Sequence, residues 1–454
     1  MSQEKVKVTL FWIRLFRNFF LLHVLIMQLL LANVVLAASE GLFGSQHQLV
    51  MEQLVQAVLI RNPSIEAMTS SWQAAQSRIE QVSSLNDPML SYSFAPETRN
   101  SKGQDFGQKI QLSQILPWPG KLELRGDSAR YQAKADWQNV ELIRLQLIVT
   151  SVRVFADWFY IYEAIRINRI NQDLWREFHT IAEVKYSSGR ASKQDTLRAE
   201  VEQAMLEHQA IVLRRKQRNI QTKINSLLNR EPDKTIPPPA ALNKVSKLPT
   251  VNKLRQVAIS NHPELKLLLA RKQSSNALRK LAERDYYPDF NVNAGYNSLW
   301  NQNEKRFTVG VGINIPFGQS KRNAKVSEKN ARTLQLQWQI IDKQATIAGA
   351  VQRAYNNIEE SIHVLTLYQI KLLPLAEENL QTSKADYQSG KGGFLDLVSA
   401  EKNLIQTQLN QVQAQADYQR HLAMLVHRVG EPGLLGENFK LTNSTKKSIK
   451  GGSK

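Results

Sequence analysis

The sequence predicts an α+β chain built as two tandem copies of one unit, each a helix, two short strands and a very long helical hairpin. Three observations carry this. Leu54, Gln56 and Pro63 return 200 residues on as Leu254, Gln256 and Pro263, and Tyr186, Gly189, Asp195 and Glu200 return one residue later still, as Tyr387, Gly390, Asp396 and Glu401. Four short stretches alternate polar and apolar residues. Each copy then ends in long runs almost free of glycine and proline.

The chain has 454 residues. Lys5, Lys7, Arg14 and Arg17 precede an apolar run from Phe19 to Leu36, and Val35-Leu36-Ala37-Ala38 places small residues where a signal peptidase needs them. Residues 1–37 therefore read as a signal peptide cleaved beside Ala37 and Ala38. The alternative is a retained anchor, since the run is long enough to span a bilayer. The first repeat covers 38–232, a linker with Pro237-Pro238-Pro239 and Pro249 covers 233–253, and the second repeat covers 254–432. The tail, 433–454, carries Lys440, Lys446, Lys447, Lys450 and Lys454 and reads as a solvated, disordered end.

Within each repeat, residues 51–84 and 251–286 read as helices interrupted at Asn62-Pro63 and His262-Pro263. The clearest strand is 307–315, where Phe307, Val309, Val311, Ile313 and Ile315 alternate with Thr308, Gly310, Gly312 and Asn314. Phe290, Val292, Ala294 and Tyr296 alternate likewise, as do Leu90, Tyr92 and Phe94, and 106–116 is a fainter case. Period two gives one apolar and one polar face. Strands of about 9 to 11 residues with small polar groups on one face form the transmembrane-barrel pattern. The same alternation also describes an ordinary half-buried hairpin sheet.

Asp127 to Ser188 holds no Gly or Pro, so a continuous helix there would run roughly 90 Å. A second such run covers Ala191 to Glu231; the other copy matches from Gln319, with a kink expected at Pro374. Val398, Ile405, Leu409, Val412 and Ala416 form a heptad seam. Helices so long with so narrow an apolar stripe must pack side by side. At Ser188–Ser192 and Ser389–Gly393 a glycine ends one helix, and Ser192 with Asp195 has capping-box spacing for the next. Four strands are too few to close a useful barrel, whereas a trimer supplies twelve and a matching ring of helices.

Chemistry is nearly absent. There is no cysteine, hence no disulfide scaffold, thiol nucleophile or acylated N-terminal cysteine. The sequence has no G-x-S-x-G, P-loop or dinucleotide fingerprint, and its eight histidines show no zinc-helix spacing. His208 reads as packed near an apolar seam. Tyr387 and Asp396 read either as special tip residues or as plain helix surface, and Arg190, Lys193 and Lys391 suit helix ends and water. No enzyme and no cofactor is expected. The formal charge of +19 invites nucleic acid or anionic lipid as a partner, but an export signal argues against nucleic acid.

The Tyr-x-x-Gly-x(5)-Asp tip in two copies, together with Leu116-Pro117-Trp118-Pro119-Gly120-Lys121, resembles the TolC-like outer-membrane efflux protein family from about Leu49 to Pro432. The resemblance implies a trimeric 12-stranded β-barrel in the outer membrane, four strands per chain, continuous with a long periplasmic α-helical barrel. It implies a homotrimer embedded in outer-membrane lipids, working with a periplasmic adaptor and an inner-membrane transporter. Gly189, Arg190, Ala191, Ser192, Gly390, Lys391 and Gly392 match adaptor-docking tips, and Asp195, Tyr387 and Asp396 match a periplasmic gate. Gly392 stands where a gate arginine is expected, and Ser399 where a second aspartate ring would be. The Leu-Pro-Trp-Pro-Gly-Lys run looks like that of members paired with metal-ion and drug exporters of the resistance-nodulation-division type. Three readings follow: an exit channel for small toxic solutes with type I protein secretion as its variant, a soluble periplasmic coiled-coil scaffold, and a basic nucleic-acid-binding protein.

Overall fold

The structure, a computed structural model, describes residues 48–100, 106–243, 245, 248–298, 300 and 305–436. The expected signal peptide with Ala37 and Ala38, and the tail from 437 onward, lie outside these residues.

The first half runs α1 (Met51–Arg61), α2 (Pro63–Ser83), β1 (Met89–Phe94), β2 (Gln108–Leu116), α3 (Lys121–Ser187) and α4 (Lys193–Leu227). The second runs α5 (Val251–Asn261), α6 (Pro263–Arg284), β3 (Phe290–Asn297), β4 (Phe307–Ile313), α7 (Gln319–Leu367), α8 (Leu373–Ser389) and α9 (Phe394–Val429). A π-helical turn, Tyr368–Leu372, joins α7 to α8. It falls one turn ahead of Pro374, where the sequence predicts a kink; the widened turn absorbs the missing N–H and the ring. At 67 residues α3 is roughly 100 Å long and begins six residues earlier than its Gly-free stretch. Gly126 is accommodated because its bare Cα packs on Ser83, where a Cβ would meet Ser83 Cβ at 3.0 Å.

All four strands join one antiparallel sheet in the order β1-β2-β3-β4. The register decides what the sheet is for. Leu90 pairs with Leu112, Tyr92 with Ile110, Ile110 with Tyr296, Val292 with Val311 and Tyr296 with Phe307. Directly paired residues share a face, so the apolar sets of the four strands lie on one side, with Met89 and Ile115 the exceptions on the other. The other side carries Ser91, Ser93, Lys109, Gln111, Ser113, Asn291, Asn293, Asn297 and Thr308. Among the described residues no helix covers the apolar side, as one would in a half-buried hairpin sheet: Phe307 is 75% exposed and Val309 82%. Only β2, at 9 residues, reaches the 9 to 11 expected; β1, β3 and β4 have 6, 8 and 7, and β4 ends at Ile313, before Ile315.

The helices keep the lateral order of the strands they adjoin. α3 packs between α2 and α6, and α7 packs on α6; below, α4 lies beside α3, and α9 between α3 and α7. The main core forms where these layers meet, around Trp158, Phe155, Ile148, Ile224, Leu425 and Val426. The proline-rich connection is fixed to it, since Leu49 brackets it with backbone bonds to Pro238 and Ala240 and Trp158 Nε1 donates to the Pro237 carbonyl at 3.0 Å. On α9 the buried line is Phe394, Leu397, Ala400 and Leu404. Of the heptad seam, Val412 and Ala416 are buried as expected, while Val398, Ile405 and Leu409 are only half-buried, because the helix packs against three neighbours rather than one coiled-coil partner. His208 is exposed, not packed.

The Leu116–Lys121 run is the hinge between sheet and helix. Trp118-Pro119-Gly120-Lys121 makes a turn in which Gly120 takes φ +85, a conformation that favours glycine. The Trp118 N–H donates to Asp289 Oδ1 at 2.8 Å, and Lys121, 3% exposed, donates to the same oxygen at 2.8 Å and to the Tyr287 carbonyl at 3.1 Å. The Trp118 ring stacks on Tyr287 and Phe290. The run thus locks the first half of the chain to the base of β3. Removing the carboxylate strands a buried ammonium, with Asp285 at 3.8 Å its remaining counter-ion. Asp289→Ala should lower stability by about 3 kcal/mol, read as an earlier thermal unfolding midpoint, whereas Lys121→Met, which removes the charge as well, should cost clearly less.

Candidate functional site: the hairpin tips

The tips are where the two halves meet again, far from the sheet. α3 ends at Ser187, and Arg190 N–H returns to the Lys185 carbonyl at 2.8 Å. α8 ends at Ser389, and Lys391 and Gly392 N–H both return to the Asp386 carbonyl, at 2.9 and 3.1 Å. Gly189 and Gly390 have φ of +71 and +84, so the glycines stop the helices as their spacing predicts. Gly189, Arg190, Ser192, Gly390 and Lys391 are exposed, with Ala191 and Gly392 half-buried. Gly392 is tightly placed: a Cβ there would lie 3.0 Å from Asp386 Cβ. A larger residue at this position would force the turn open, which accounts locally for glycine in place of the arginine of the family pattern.

The expected capping box does not form. Ser192 Oγ accepts from Gln194 N–H at 2.9 Å, but Asp195 does not reach back to the cap. Its Oδ2 instead accepts from the Tyr387 hydroxyl at 3.3 Å, across 192 residues. In the second tip Asp396 does reach back, accepting from Gly393 N–H at 3.2 Å. Of the three residues expected at a gate, the structure brings Asp195 and Tyr387 together, while Asp396 caps its own helix and stays exposed.

Tyr387 is the centre of the arrangement and is only 4% exposed, so it is not plain helix surface. Its ring lies 5.2 Å from Phe394, and the Lys185 ammonium stands 4.5 Å over it while donating to the Tyr387 carbonyl. Burial first, then the charge and hydrogen bond of Asp195, push its hydroxyl up to about 12, so it remains a donor at any physiological pH. Two further ties bridge the halves higher up: Lys384 to Glu177 at 2.7 Å and Lys402 to Glu202 at 2.6 Å. The sequence reading passed over these and over Lys185. One signal was available, because Lys185 stands at the repeat position of Asp386, with the charge reversed.

Between these ties lies a small core of Trp175, Phe178, Ala199, Leu380, Leu397 and Leu404. It contains one carboxyl group. Glu401 is 1% exposed and neither oxygen has a hydrogen-bond partner. Burial pushes it up to about 7, with the Trp175 side chain opposing and the charge of Glu202 adding to the rise.

Comparison with known proteins places this geometry. Residues 254–431 match the family model described as outer membrane efflux protein. The chain is 23% identical over 256 residues to toxin and drug export protein A of Aggregatibacter actinomycetemcomitans, a match covering 53% of this chain and 54% of that protein, so it spans about half of the relative's length. The fold superposes on the outer-membrane channel OprN with a TM-score of 0.73 at 16% identity, covering 85% of this chain and 91% of the other. It superposes on the outer membrane protein VceC of Vibrio cholerae with a TM-score of 0.71 at 15% identity, covering 84% and 96%.

Glu401 gives the tip core a pH dependence of definite sign. A carboxyl group with a raised folded pKa stabilises fully below its ordinary value of 4.5, and that stability is lost as pH rises toward 7. Thermal unfolding of the helical hairpins, followed by circular dichroism from pH 5 to pH 8, should show a falling midpoint. Glu401→Gln should flatten this profile; an unchanged slope in that variant would assign the dependence to other groups.

Proposed function

We propose that this chain, a member of the outer membrane efflux protein family, is the exit duct of a tripartite efflux system: a trimeric tube embedded in the outer membrane whose helical barrel descends into the periplasm. It catalyses no reaction. Solute passes down its gradient through a polar lumen, and energy comes from an inner-membrane transporter reached through a periplasmic adaptor.

The observation that carries this reading is the four-stranded sheet with one bare apolar face, one polar face and two unpaired edges. In water such a face and such edges are unstable; lipid outside and a closed ring resolve both. β1 and β4 run in opposite directions, so β4 of one copy can pair with β1 of the next in the antiparallel sense, and three copies make twelve strands. The outer helices also expose apolar residues. Leu334, Trp338 and Ile341 are exposed on the sheet-side half of α7 at one edge, and Leu197, Val201 and Met205 near the tip on α4 at the other. An interface between two different edges is head-to-tail and closes into a ring.

At the periplasmic end, the Tyr387–Asp195 bond and the Lys185 tie hold the second hairpin against the first and form the closed gate. Asp195 and Asp396 become rings of three carboxylates in the trimer, able to attract cations. The exposed glycine-bearing turns, Gly189 to Ser192 and Gly390 to Gly392, present backbone to the tip of an adaptor hairpin. The substrate is assigned to small toxic solutes, metal ions or drugs, with type I protein secretion as the alternative. The name of one relative, toxin and drug export, is compatible with either. The Trp-Pro-Gly-Lys run adds little to this choice, because its contacts account for it as a structural hinge.

Membrane fractionation followed by gels run heated and unheated tests the reading. The expected result is a heat-modifiable trimer in the outer-membrane fraction; a soluble periplasmic monomer would return the coiled-coil scaffold to first place. Trp338→Glu should shift the unheated band toward monomer. Gly390→Val should leave the trimer intact and abolish export, since it adds backbone strain of about 1 to 2 kcal/mol and a side chain at the docking turn; normal resistance to exported solutes in that variant would count against the docking role.

A further inference from the structure

Midway along the chain, both halves close a helix joint with the same pair of hydrogen bonds, made by different side chains. Asn62 stands between α1 and α2. Its Oδ1 accepts from Ser64 N–H at 3.1 Å, and its Nδ2 donates to the Leu227 carbonyl at 2.9 Å, at the end of α4. His262 stands between α5 and α6. Its Nδ1 accepts from Glu264 N–H at 3.2 Å, and its Nε2 donates to the His427 carbonyl at 3.2 Å, in the last turn of α9. Both cross-ties span 165 residues. Each pins the start of one helix to the end of a long hairpin helix.

The two pins differ in one chemical respect. An amide does not titrate in the physiological range, whereas an imidazole does. Its partners fix the protonation state here. A backbone N–H can only donate, so Nδ1 must keep its lone pair; a carbonyl can only accept, so Nε2 must carry the proton. A second proton would land on Nδ1, facing the Glu264 N–H at the positive end of α6. There is no room to turn aside, since His262 is 4% exposed and Gly430 packs so close that a Cβ would lie 3.2 Å from His262 Cα.

The surrounding charges do not rescue the protonated form. Glu264 of α6 is paired with Lys343 of α7 at 3.1 Å. His427 and Arg428 approach from α9, and Glu431 beyond it accepts from Gly433 N–H. Burial leads in holding His262 below the usual imidazole range, with His427 and Lys343 adding to it and Glu264 opposing. His427 is held down as well, by burial and then by Arg428, and its Nδ1 has no partner.

We propose that His262 is a proton-released pin: acidification breaks its hold on the start of α6, while its Nε2–H tie to α9 keeps its proton and Asn62 keeps the first half closed. The stabilisation is complete above the ordinary imidazole value of 6.5 and is lost as pH falls below it. The freed element is the first turn of α6. This inference stands on the two pins alone and holds whether or not the chain forms a channel.

Hydrogen exchange of the full chain in detergent, at pH 7 and pH 5 and corrected for intrinsic rates, reads each joint separately. In the native protein, the amides within 264–268 should open about tenfold more at pH 5, while those within 64–68 stay unchanged. His262→Asn should abolish the rise, and His427→Gln should keep it, because the accepting carbonyl remains. Asn62→His should transplant acid sensitivity to 64–68. No rise in the native protein, a rise that survives His262→Asn, or one that vanishes in His427→Gln would overturn the proposal. Should His262→Asn fail to fold, Asn62→His decides: without a gain at 64–68 the pin is not acid-released.

Discussion

The division of the sheet into an apolar and a polar face governs what the rest of the chain can be. Four strands with nearly all their aliphatic and aromatic residues on one side, and no helix among the described residues laid over them, cannot rest in water. The helices could have folded back over that face, as they do in most α+β proteins. They run away from it instead, each continuing the lateral order of the strand beside it. Such an arrangement keeps the apolar face bare along its whole width. The hinge at Trp118, Lys121 and Asp289 enforces it, because a buried ammonium and a buried backbone N–H share one carboxylate oxygen and fix the angle at which α3 leaves the sheet.

The two halves share an element order and diverge at their contacts. Where they are alike, they supply shape: helix, paired strands, long hairpin. Where they differ, they supply attachment between one half and the other. Lys185 meets the chain around Tyr387, Asp195 leaves its own cap to reach the Tyr387 hydroxyl, and Asp396 stays at its cap. Two identical tips would each satisfy themselves and have little to hold them together. The same logic applies at the joints, where an amide in one half and an imidazole in the other make equal geometry with unequal chemistry.

Local periodicity made much of this legible. The strands, the breaks at Asn62-Pro63 and His262-Pro263, the glycine-stopped tips and the long helices all follow from patterns within a few residues, and each lies where the pattern puts it to within a few positions. What could not be read was anything set by distant neighbours. Whether the alternating strands were bare or covered depended on a register between residues nearly 190 apart. The buried line on α9 shifted by one position, to Leu397 and Leu404, because three neighbouring helices share it. Glu401 looked like an ordinary helix glutamate, and only the packing of Trp175 and Leu404 reveals it as enclosed. The Leu116–Lys121 run was noticed for its likeness to relatives, while its contacts with Asp289 and Tyr287 are what explain its residues.

The strength of the tip contacts bears on how such a gate could work. The ties that cross between the halves are mostly exposed ion pairs and single hydrogen bonds, each worth about 0 to 1.5 kcal/mol. The tip core beneath them is small and includes a carboxyl group that costs free energy to ionise. By contrast, the main core around Trp158 and Phe155 joins every layer of the chain. A perturbation of a few kcal/mol at the tips can therefore part the hairpins without loosening the body of the molecule. If the proposed docking role holds, a helical hairpin meeting the exposed turns is a perturbation of that order, and its effect stays at the one end of the chain where the halves are joined by polar contacts.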